Sequence, residues 1–180
     1  MTSIIKADNI STVSGSGNIT IPTGVKVVGT DAASIYAPGT LVQIIDATGA
    51  TQTAVTADNV WTATNAVVSI TPKFTNSKIY LSHTAGGLTE TGGGNGDRGI
   101  RIQRAISGGA TSLIHASQRY GYTNTNSWVP INWAVIDVDA GYNTTSQLTY
   151  TIEIYKGGTG GSARHSDNAT WTFVAMEIAQ

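Results

Sequence analysis

The residues best suited to recognition chemistry cluster in one stretch, SQRYGYTNTNSWVPINW, residues 117–133. It sets Tyr120, Tyr122, Trp128 and Trp133 among Asn, Thr and Ser, with Arg119 beside them. Aromatic rings offer flat apolar faces, and neighbouring amides and hydroxyls supply neutral hydrogen bonds. That combination suits a sugar, and it suits a protein contact surface equally well. Arg119, Tyr120, Tyr122 and Trp128 are therefore the candidate receptor or glycan contacts. The structural alternative is that Trp133 is a core residue on a strand and the tyrosines pack over the end of the fold.

Other chemistries are weaker. TGGGNGD (91–97) and KGGTGGSARH (156–165) are glycine-rich. A phosphate cradle needs a following helix and a Lys-Ser/Thr pair, and neither stretch has them. Both are expected to be exposed loops. DVDAGYN (137–143) places Asp137 two residues before Asp139, close to Asn143. Its glycine spacing does not fit a calcium loop, and no bidentate Glu follows at the twelfth position. A strand end running into a turn is the expected reading. His83, His115 and His165 are far apart in sequence. In a three-fold assembly a strand histidine could contribute one metal ligand per chain, but nothing selects which. No G-x-S-x-G elbow is present. The expectation is no enzyme, no cofactor and no metal.

The elements that would position these residues read as strands. No window sustains apolar residues at helical spacing for three turns, whereas period-two runs recur throughout. Short runs at 18–22 and 25–29 precede stronger ones at 41–47, 51–55, 66–72, 77–83, 99–106, 111–118, 130–138, 147–155 and 170–180. TGA after 41–47 and SGGA after 99–106 look like hairpin turns. Evenly spaced strands of this kind predict an all-β sandwich, jelly-roll-like. Residues 1–36 hold few aromatic side chains and read as a β-rich N-terminal segment. Pro38-Gly39 marks the passage to the sandwich, 37–180.

Composition narrows the function classes. Charged residues make up 12% and the net charge is -1. Neither nucleic acid nor an anionic membrane is favoured electrostatically. There is no cysteine, hence no disulfide framework. MTSIIKADNISTVSG lacks an apolar export core, so synthesis in a cytosol without membrane insertion is expected.

ADNISTVSGSGNITIPTGVKVVGTDAASIYAPGTLVQ (7–43) resembles the opening of short virion fibre proteins of tailed phages, of the cyanophage and marine-phage type. SITPKFTNSKIYLSHTAGG, RIQRAISGGATSLIHAS, TTSQLTYTIEIY and the terminal FVAMEI are similar to C-terminal tail-fibre domains. The resemblance implies a homotrimeric knob with a jelly roll of the C1q and tumour-necrosis-factor type. It further implies attachment to other virion proteins through the N-terminal segment. The implied place is the virion, after synthesis in the host cytoplasm. The implied role is adhesion to a host glycan or protein. A capsid-decorating structural protein and a carbohydrate-binding module are the alternative readings.

The closing stretch TWTFVAMEIAQ (170–180) adds an argument of its own. Trp171, Phe173 and Ala175 lie on one face of the strand, and Val174, Met176 and Ile178 on the other. Burying a large apolar side chain stabilises by about 1.5–3 kcal/mol. A strand apolar on both faces therefore points to one face in the sandwich and one against neighbouring chains. Trp171, Phe173, Val174, Met176 and Ile178 are the candidate trimer interface. Glu177 is the odd residue, expected at a rim or paired with Arg101 or Arg104.

Overall fold

The structure is a computed structural model. It describes Thr23 and residues 38–91, 96–123, 128–137, 144–158, 161–166 and 169–180; the side chains of 90, 91, 96, 117–123 and 128 lie outside that description. The chain divides into two units, Met1–Ile35 and Tyr36–Gln180. All described strands belong to the second. The short strands expected at 18–22 and 25–29 fall outside the described residues.

In chain order the strands are β1 (Leu41–Gly49), β2 (Thr53–Val55), β3 (Val60–Ile70), β4 (Lys78–Thr91) and β5 (Gly96–Ile106). They continue with β6 (Thr111–Thr123), β7 (Trp128–Asp137), β8 (Leu148–Lys156), β9 (Ser162–His165) and β10 (Trp171–Ile178). Sheet A runs β1-β10-β4-β9-β2, with β7 on the other side of β4. Sheet B runs β3-β8-β5-β6. Every pairing is antiparallel.

Setting the short β2 and β9 aside, the long strands nest as β1 with β10, β3 with β8, β4 with β7, and β5 with β6. Alternate pairs fall in opposite sheets. A long hairpin rolled up in this way is a jelly roll. The all-β, jelly-roll-like sandwich expected from the strand pattern is the observed fold.

Period-two alternation supplies the core. On β8, Leu148, Tyr150, Ile152 and Ile154 are buried while the residues between them are half-buried. They meet Ile79 and Leu81 of β4 and Phe173 and Ala175 of β10 in one apolar cluster with Ile100 and Ile102 of β5. Gly86 lets a second segment cross β4. Its N–H donates to the Thr170 carbonyl at 3.2 Å, and a Cβ there would lie 1.9 Å from the Ala169 Cβ.

The structure overturns part of the expected local pairing. The hairpin expected at 41–47/51–55 does not form: β1 pairs with β10, and β2 with β9. The glycine-rich stretch 156–165, expected as an exposed loop, contains β9. Only 99–106/111–118 is a hairpin as expected, β5 with β6. Alternation specifies which face of a strand is apolar, not which strand lies beside it.

Candidate functional site

Arg119, Tyr120 and Tyr122 lie on β6, and Trp128 opens β7. Their side chains lie outside the described residues, as do Asp139 and Asn143. Trp133 is half-buried against the core, and its ring meets His115 edge-on at 4.6 Å between centroids. The expectation of a core Trp133 therefore holds in part.

The closing strand separates its two faces cleanly. Trp171, Phe173, Ala175 and Glu177 of β10 are buried, while Val174, Met176 and Ile178 are half-exposed. Trp171 and Phe173 are thus core residues of a single chain. Residues opposite one another in a ladder share a face. The register aligns Ile44 of β1, Met176 of β10, Tyr80 of β4 and Ile136 of β7 in one row across the outer face of sheet A. Ile44 is 51% exposed and Ile136 44%. Ile178, with Leu41 opposite it, flanks the row on one side; Val174 and Ala134 flank it on the other. Towards the far end the face turns polar, through Thr48, Thr172, Thr84 and Asn132.

Ile44, Tyr80 and Ile136 were not singled out from the sequence. The signal was there in LVQIIDA, where adjacent isoleucines put an apolar side chain on both faces of one strand. No described strand pairs with the outer edge of β1.

Glu177 is neither at a rim nor paired with an arginine. It is 0% exposed. Its Oε1 accepts from the backbone N–H of Lys73 at 2.8 Å and of Phe74 at 3.2 Å, and from the Ser77 hydroxyl at 2.6 Å. Its Oε2 accepts from Gln43 Nε2 at 2.6 Å, and the same amide donates to the Thr71 carbonyl at 2.7 Å. The carboxylate thereby lashes β1 and β10 to the crossing between β3 and β4. Replacing it by Glu177→Gln sets an amide nitrogen against these donors. The expected loss is about 1–3 kcal/mol in urea unfolding; an unchanged midpoint would contradict this role.

Arg101 instead binds Glu153, and Arg104 binds Asp137. Arg104 of β5 reaches across the sandwich, its Nη1 donating to both carboxylate oxygens of Asp137 on β7 at 3.0 and 2.8 Å. The Tyr150 hydroxyl of β8 donates to the same carboxylate at 2.9 Å. All three side chains are buried. Asp137 is therefore a structural anchor between the sheets, which removes it from any calcium loop.

His83 and His165, far apart in sequence, meet at their Nε2 atoms across 3.0 Å. His83 Nδ1 lies 3.1 Å from the Thr172 carbonyl. A carbonyl only accepts, so His83 carries its proton on Nδ1 and Nε2 is an acceptor. His165 must then donate from Nε2, which leaves its buried Nδ1 as a bare lone pair with no partner. Burial, and next the neighbouring His165, push the His83 pKa down to about 3 against the opposing pull of the Thr172 carbonyl. Burial pushes His165 down to about 4. Both rings are neutral at physiological pH. Among the described residues no group of three or more His, Cys, Asp or Glu is placed to hold a metal ion.

No family model matches the sequence. No curated protein sequence matches it either. Solved structures similar to the chain include T=1 particles derived from infectious bursal virus, at 15% identity and a TM-score of 0.43, covering 87% of this chain and 41% of that one. The infectious bursal disease virus Gt strain follows with the same identity and TM-score, covering 87% and 43%. The VP2 subviral particle of infectious bursal disease virus has 12% identity and a TM-score of 0.38, covering 87% and 42%. The chain spans less than half the length of the chains it matches.

Proposed function

We propose that the chain is a structural protein of a tailed-phage virion. In this reading it is a homotrimeric fibre or knob, joined to other virion proteins through residues 1–36, that takes part in adhesion to a host-surface glycan or protein. One observation carries the oligomer: the apolar row Ile44–Met176–Tyr80–Ile136 crosses sheet A from edge to edge, exposed at Ile44 and Ile136 and half-exposed at Met176 and Tyr80 in the single chain. An apolar face this continuous is stabilised when a partner covers it. Identical copies fit it best, because across β1, β10, β4 and β7 the described residues of this face carry charge only at Asp46 and Lys78 and so offer little to a charged partner. Val174, Met176 and Ile178 are the members of the expected interface that lie on this face. Trp171 and Phe173 act indirectly, by seating β10 in the core.

Light scattering on the purified chain tests the reading. A species of three chain masses is expected, and Met176→Glu is expected to dissociate it by placing a charge in the centre of the row. A wild-type monomer or dimer would overturn the trimer. Labelling the protein on intact particles, with a host-cell pull-down beside it, tests virion placement and adhesion.

A further inference from the structure

The outer face of sheet B carries an aromatic and charged island that the oligomer does not use. Trp61 of β3 lies opposite Tyr155 of β8, with ring centroids 5.2 Å apart. Arg101 of β5 lays its guanidinium over the Trp61 ring, 4.5 Å from the centroid. Its Nε donates to Glu153 Oε2 at 2.5 Å. Gln103, in the amide orientation that satisfies both of its ends, accepts from Arg101 Nη2 at 3.1 Å and donates to the Ser112 carbonyl at 3.0 Å. The Tyr155 hydroxyl donates to Asn59 Oδ1 at 2.8 Å, and the Asn59 N–H to the Lys156 carbonyl at 2.7 Å.

These contacts fix the geometry before any ligand arrives, which lowers the ordering cost of binding. They also leave two groups unused. Glu153 Oε1 and Arg101 Nη1 make no hydrogen bond to any described residue. The ion pair keeps about a fifth of each side chain exposed, 22% for Arg101 and 18% for Glu153. Across the ladders from it lie Ala63 and Ala116, both exposed and too short to wall it in. One acceptor atom and one donor atom of the same ion pair therefore remain open next to aromatic rings.

That arrangement matches a vicinal diol. One hydroxyl donates to the carboxylate, its neighbour accepts from the guanidinium, and the C–H face of the ring lies against Tyr155, since Arg101 already covers a face of Trp61. We infer that the Trp61–Arg101–Glu153–Tyr155 island is a binding site for a neutral pyranoside with adjacent equatorial hydroxyls. This deepens the adhesion reading and rests on it for its biological use.

The full-length wild-type protein, nitrogen-labelled, is titrated with methyl β-glucopyranoside, methyl α-mannopyranoside and methyl β-galactopyranoside. The indole N–H resonance of Trp61, assigned through Trp61→Phe, is expected to shift saturably with at least one of them, at about millimolar affinity. Arg101→Ala is expected to weaken that response at least about tenfold, a change of about 1.4 kcal/mol. No Trp61 shift with any of the three, or a shift confined to Trp128 or Trp133, would overturn the site. A Trp61 response in a protein that does not bind host cells supports the site and removes the adhesion reading, so the two failures are separable.

Discussion

Asp137→Ala is expected to destabilise the sandwich by about 3–5 kcal/mol, a large part of the stability of an ordinary domain. The substitution leaves the Arg104 charge buried between the sheets without its carboxylate, and the Tyr150 hydroxyl without its acceptor. Desolvating a charge costs several kcal/mol, and the two bonds to Asp137 help to offset that cost. The paired replacement Arg104→Met with Asp137→Leu removes both charges and keeps the volume. It is expected to restore most of the loss, because a buried ion pair and a well-packed apolar pair differ little in net free energy. Urea unfolding of the two variants checks both statements. A single variant that loses less than about 1 kcal/mol would show that the pair contributes little to the fold.

Acid is expected to unfold the protein through the histidine pair. The folded pKa values lie at about 3 for His83 and about 4 for His165, against 6.5 when unfolded. Between those limits the unfolded chain binds more protons than the folded one. Stability therefore rises with pH across that window, and it is lost as pH falls from about 6.5. Each ring contributes a slope of at most about 1.4 kcal/mol per pH unit, so the pair contributes at most about 2.7. The sandwich joint where β4 receives β9 and β10 is the place that should open, because both imidazoles lie there. Comparing urea midpoints at pH 6.5 and 5.0 tests this above the range where most carboxylates titrate. The double variant His83→Gln with His165→Gln should show a flatter dependence. An equal slope in wild type and variant would rule the pair out as its source.

How far these sites could be read in advance depended on the separation of their parts. Glu177 stood out as an acid on an apolar strand, yet its partners were not foreseeable. They are backbone N–H groups of a turn about a hundred residues earlier. Arg104 and Asp137 lie on strands of different sheets, so nothing local in the sequence announces their pairing. The aromatic stretch 117–133 attracted attention by local density. The island on sheet B escaped it because Trp61, Arg101, Glu153 and Tyr155 come from three strands and share no local motif.

By itself the sequence determined the strand content, the alternation of side chains along the closing strand, and the absence of any disulfide. Those properties follow from residue type and a period of two, and both are local. The tertiary structure alone decided which strands are neighbours. The rolled hairpin pairs β1 with β10 and β3 with β8 across most of the chain. Only that long-range register aligns Ile44, Met176, Tyr80 and Ile136 into one exposed row, and only it brings His83 to His165. Alternation sets the face that each residue occupies, whereas closure of the roll sets what stands beside it.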